Sequence, residues 1–142
     1  MAAPGHIGFY RTRDDPIGQF QTLLYLPDCA VPETLVEPTQ ACFGQLPMAV
    51  VSEAGSASAL LLTSLDAALP VSVKMVDRIN PNISWYYRLD SGAELRLRGF
   101  AVGPSDAELP FTPDASSRWA ETAVPGDWKL CLDMALEAGS AT

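Results

Sequence analysis

The chain has few of the side chains most often used for catalysis. In 142 residues there is one histidine, His6, and three cysteines, Cys29, Cys42 and Cys131. General acid–base work most often uses histidine, and His6 stands in a Gly/Pro-containing leader without an orienting partner near it in sequence. It reads as an exposed or capping residue. The cysteines form no C-x-x-C pair and stand beside no second metal-type ligand, so neither a zinc site nor a redox motif is expected. They read as reduced thiols packed as small apolar groups, with a Cys29–Cys42 bridge left open. There is no G-x-G-x-x-G, no G-x-x-x-x-G-K-[ST] and no G-x-S-x-G, so no nucleotide cofactor or nucleophile elbow is indicated.

Long apolar runs are missing too. The longest apolar-biased stretch, Ala57 to Leu65, is interrupted by Ser58, Thr63 and Ser64. A membrane span needs ~18 or more apolar residues. The first residues lack a basic stretch followed by an apolar one, so no signal peptide is expected. The sequon Asn82-Ile83-Ser84 is then read as accidental, and a cytoplasmic or virion-associated location is expected.

Positive charge is scarce. Nine Lys and Arg face seventeen Asp and Glu, a net charge of −8. This argues against nucleic acid and against anionic membranes as general partners. The deficit is uneven. Residues 1–13 carry +2, from Arg11 and Arg13. Residues 14–70 carry seven acids, among them Asp14, Asp15, Glu33 and Glu37, and no Lys or Arg. Residues 71–102 return to +2 and residues 103–142 to −5.

What is present is a 48% hydrophobic chain, enough for one core in one domain. Twelve prolines and ten glycines divide it into short pieces. Several pieces alternate with period 2, the mark of a strand with one wet face. Residues 83–102 read as a hairpin turning at Asp90-Ser91-Gly92, with Ile83, Trp85, Tyr87 and Leu89 on one face. Trp128–Met134 alternates likewise and extends weakly to Leu136. Further strands are expected at Ile7–Arg11, Gln19–Leu26, Met48–Glu53, Ser58–Leu65 and Leu69–Asp77. Residues 27–47 read as a proline-rich surface excursion with at most a turn of helix. Thr112 and Pro113 offer helix-start chemistry for a short helix over 113–121. Residues 1–6 read as an arm and 138–142 as a frayed tail. Some eight short strands at this spacing predict an all-β single domain: an antiparallel β-sandwich, jelly-roll-like, or a small barrel.

Two features invite a functional reading. Asp14-Asp15 could serve a cation only with a third ligand, and no D-x-D-x-D-G follows, so a solvated turn is expected. Asp77 and Asp90 read as turn residues. On the hairpin, Tyr86 and Arg88 face away from Trp85 and Tyr87, and Arg88, Arg96 and Arg98 form one basic patch. Tyr and Arg are enriched at interface hot spots. The expectation is therefore a non-enzymatic structural or interaction protein, such as a capsid decoration or tail-adaptor subunit in a symmetric assembly. Its contacts would run through Tyr86, Arg88, Arg96 and Arg98 on one side and Asp14, Asp15, Glu33 and Glu37 on the other. The basic patch would meet a protein partner or the acidic segment of a neighbouring copy. A carbohydrate-binding β-module using Trp85, Tyr86 or Trp128 is the alternative. A carboxylate-based hydrolase is less favoured, because no pair of acids stands in a recognisable pattern.

Overall fold

The computed structural model describes residues 3–80, 82–91, 95–102 and 128–137. The chain is mostly β with some helix. Strands β1 (Gly5–Tyr10) and β2 (Thr22–Leu26) flank a one-turn 3-10 segment, Ile17–Gln19. Helices α1 (Pro32–Gly44), α2 (Met48–Val51) and α3 (Ala54–Ala68) follow. Then come β3 (Lys74–Val76), β4 (Trp85–Ser91), β5 (Leu95–Val102) and β6 (Trp128–Ala135). The strands form one six-stranded sheet in the order β3-β2-β1-β4-β5-β6. β1 and β4 run parallel, and the other neighbours run antiparallel. Among the described residues there is no second sheet, and the strand order does not close into a barrel.

Among the described residues, helices and not a second sheet cover one face. Ser58–Leu65 lies inside α3 and is not a strand. Ala57, Ser58, Leu61 and Leu65 are its buried residues, a spacing of helical period. The run is rich in Ala and Leu, both strong helix formers, and Gly55 has open space around it at the start of the helix. Met48–Val51 is also helical. The excursion at 27–47 is largely α1, a helix of 13 residues. Pro32 stands in its first turn, where the missing N–H costs nothing, and Glu33 favours the positive helix end. Leu35, Thr39 and Phe43, four apart, form its buried stripe. Pro38 inside the helix hid this pattern in the sequence.

The helices cover the face carrying Ile7, Phe9, Leu24, Leu26, Tyr87, Leu89, Leu95 and Leu97. The opposite face carries Tyr10, Leu23, Tyr86, Phe100 and Trp128, joined by Ile17, Ile79 and Ile83 from connecting segments. All six residues of β1 are buried, as a central strand covered on both sides requires.

The hairpin is present, but β4 runs through Ser91, which pairs with Leu95. The leader is structural: Gly5 and His6 belong to β1, and the Ala3 N–H donates to Asp28 Oδ1 at 2.8 Å. In β6 the register slips opposite Gly99/Phe100, where Phe100 pairs with Leu130 but Gly99 with Leu132. Cys131 is the extra residue of this bulge, and the even-numbered side chains change face across it. Trp128 therefore joins the cluster around Tyr86, while Leu132 and Met134 pack toward the helices. The expected helix over 113–121 and the tail at 138–142 lie outside the described residues.

Candidate functional site

The most densely bonded polar group lies on the face opposite the helices. Alternation along β4 puts Tyr86, Arg88 and Asp90 on that face. The β4–β5 register places Arg98 across from Arg88 and Arg96 across from Asp90. Asp90 holds both buried guanidiniums, Arg88 Nη2 at 3.2 Å and Arg98 Nη2 at 2.8 Å. Arg88 is fully buried and Arg98 is 8% exposed.

The segment 11–16 closes over this group. Arg88 donates to the carbonyls of Asp15 at 2.7 Å and Thr12 at 3.1 Å, and Arg98 donates to that of Arg13 at 2.9 Å. The segment is shaped for this by the Asp15 carboxylate, which accepts from the amides of Arg11 and Thr12 and from the Thr12 hydroxyl. The Arg88 guanidinium also lies 3.9 Å from the centre of the Tyr10 ring, on its electron-rich face. Beside it Tyr10 donates to the Ile17 carbonyl at 2.6 Å and accepts from the Tyr86 hydroxyl. Burial pushes both phenols well above their ordinary range, and each lies close to the other and to Arg88. Gly8 lies between His6 and Tyr10 on β1. A Cβ there would run into the Tyr86 hydroxyl and come within 2.8 Å of Tyr10 Cε1.

This changes the meaning of the basic patch. Two cations and one carboxylate are buried, and the backbone carbonyls of Thr12, Arg13 and Asp15 supply further acceptors. Tyr86 and Arg88 present no surface to a partner. The acidic segment does meet a hairpin arginine, Arg88, but within one molecule and through the main-chain oxygen of Asp15. Asp14 is exposed and Asp15 half-buried at the outside of this closure. Arg96 is half-exposed and pairs with Asp133 at 2.5 Å. Glu33 and Glu37 are exposed on α1, across the sheet from the arginines. Asp90 is a clamp and not a turn residue. The aromatic cluster is likewise internal: Tyr87 is buried, Trp128 is 6% exposed and lies 5.0 Å from Tyr86, and Trp85 is half-buried against Tyr87.

His6 was misplaced by the sequence reading. It is 1% exposed. Nδ1 faces the Leu24 carbonyl at 2.9 Å and must donate; Nε2 accepts the Asn80 N–H at 2.8 Å. The ring is thus neutral, with its proton on Nδ1. Burial lowers its pKa from 6.5 to about 4, against the opposing pull of the Leu24 bond. A sequence signal for both His6 and Tyr10 was available: a strand-interior glycine, Gly8, marks a close approach by neighbouring bulk.

Two open cavities border β3. One of about 450 Å³ is lined by His6, Tyr25, Asp77, Arg78 and Asn80. The other, about 620 Å³, is lined by Phe20, Thr22, Met75 and Asp77. Among the described residues no three His, Cys, Asp or Glu are grouped to hold a metal ion, and all three cysteines are free. No helix among them is long and apolar enough to cross a membrane. Large apolar side chains reach solvent at Met48 and Leu60 on the helical layer and at Met75 and Leu130 on the two edge strands. Comparison with protein-family models, curated proteins and solved structures found no match.

Proposed function

We propose that the protein is a structural or interaction protein that acts by protein–protein contact and without a catalytic step, as a subunit of a larger assembly such as a virion particle. One observation carries this reading. The helical layer, residues 32–68, has Glu33, Glu37, Glu53 and Asp66 and no Lys or Arg, and it exposes Met48 and Leu60. Acidic charge in the same layer as exposed apolar side chains suits a basic protein surface, with charge setting approach and register and apolar contact adding affinity. The hairpin arginines favour the same reading by their burial. Arg88 and Arg98 are engaged internally, so the positive side of the contact is assigned to another protein and not to these two arginines of a second copy.

Lysine substitution of Glu33 and Glu37 together tests this. Both side chains are exposed, so the fold is expected to survive. The complex recovered at low salt should fall by about tenfold or more. Recovery equal to the unsubstituted protein would contradict the assignment of this face.

A further inference from the structure

His6 does more than fill space between strands. It joins three pieces of chain: β1, which carries it, β2 through the Leu24 carbonyl, and segment 77–80 through the Asn80 amide. The Asn80 bond is of a kind that only the neutral ring can make. Once Nε2 is protonated it becomes a donor, and two N–H groups then face each other. The Leu24 bond survives that change, because Nδ1 donates in both forms. Protonation therefore acts on one contact selectively, the one that fastens segment 77–80 to the sheet.

The surroundings allow the segment to move. The cavity of about 450 Å³ is lined by the imidazole and by this same segment and opens to solvent. Asp77 and Arg78 are exposed, Asn80 is half-buried, and Ile79 is the segment's buried apolar anchor. The titratable groups facing the ring come from each element around it. Tyr25 of β2 lies 5.2 Å away and Tyr86 of β4 6.1 Å away, centre to centre. Asp77 and Arg78 line the cavity with opposite charges. Lys74 of β3 is the cross-strand partner of Tyr25.

We propose that the His6–Asn80 bond is an acid-released latch, which holds segment 77–80 on the sheet while the imidazole is neutral and frees it when the ring is protonated. The low titration range of the ring, about 4, places release in moderately acidic solution. Freed, the segment uncovers Tyr25 and the adjoining apolar surface at the β2–β3 edge, remote from the acidic helical layer.

The test is made on the intact protein by nuclear magnetic resonance between pH 7 and pH 3.5. It follows the His6 ring signals together with amide hydrogen exchange, corrected for the intrinsic effect of pH. His6 should titrate well below 6.5. Over the same range the Asn80 amide should lose about tenfold or more of its protection, while the amides of Leu24 and Leu89 keep theirs. Asp77→Asn, a change at an exposed residue, should leave the midpoint in place. The latch is overturned if His6 titrates near 6.5 with Asn80 still protected. It is equally overturned if Asn80 and the sheet amides lose protection together, or if Asp77→Asn abolishes the loss.

Discussion

Asp90 carries the polar face of the sheet. It is the one carboxylate among the described residues bonded to both buried guanidiniums, and Arg88 is wholly buried beneath segment 11–16. Removing one partner from a buried ion group costs about 3–5 kcal/mol, because the charge left behind has lost both water and its counter-charge. Asp90→Asn should therefore lower unfolding free energy by about that amount in urea titration. A loss below about 1 kcal/mol would mean that the carbonyls alone satisfy the arginines. Two glycines give a paired test. Gly8→Ala drives a methyl into the Tyr10–Tyr86 pair and should cost about 1–3 kcal/mol, whereas Gly55→Ala meets open space in a helix and should stabilise by a few tenths, up to about 1 kcal/mol. Equal effects would show that the space beside β1 is not as tight as described. His6 sets a pH dependence. Its folded value, about 4, lies below its ordinary 6.5, so the unfolded chain binds the proton more readily. The contribution is fully present above about pH 6.5, is lost as pH falls toward 4, and amounts to at most about 3 kcal/mol. Urea midpoints at pH 7, 5.5 and 4 measure it, and local release of segment 77–80 would cap the loss below that ceiling.

At the scale of elements, the hairpin and β6 were legible because their alternation is unbroken by proline. The helices were not, and the reasons differ. In α3 the run Leu60-Leu61-Leu62 fits either period, and the nearby strands argued for the wrong one. In α1 an interior proline and bracketing prolines imitate a loop. From Trp85 onward the faces of the hairpin were assigned correctly, with Tyr87 and Leu89 inward toward the helices; Ile83, expected on that face, precedes β4 and packs in the opposite cluster. The polar face was expected to be wet because it carries Arg88, Asp90 and Arg98. It is dry because segment 11–16 and Ile17 cover it, from some 70 residues earlier in the chain. No local pattern announces a cover of such distant origin. The bulge at Cys131 has the same standing, since strict alternation in β6 conceals a change of face. Neighbouring leucines test the helical assignment of α3. Leu61 is fully buried and Leu60 is 40% exposed. Leu61→Ala should cost about 2–5 kcal/mol and Leu60→Ala about 1 kcal/mol or less. Similar losses at both would contradict this face of the helix.

For the whole molecule, burial sharpens the charge imbalance. With Arg88, Arg98 and Asp90 taken into the interior, the rest of the chain carries seven cations against sixteen acids, −9. The segregation along the sequence becomes a division between layers: a helical layer without positive charge, and a sheet whose arginines are largely turned to internal use. The inventory of interface residues narrows accordingly. Glu33, Glu37 and Asp14 remain at the surface, while Tyr86, Arg88 and Arg98 hold the fold that presents them. Contact driven by such a surface weakens with salt, because exposed charges separated by more than about 10 Å are largely screened at ~0.1 M. The most direct test is the native mass of the protein as isolated from its own source, by sedimentation velocity at low and at high salt. The account predicts a complex well above the 15.2 kDa chain at low salt that dissociates as salt is raised. A 15.2 kDa species at both, with nothing bound, would contradict it.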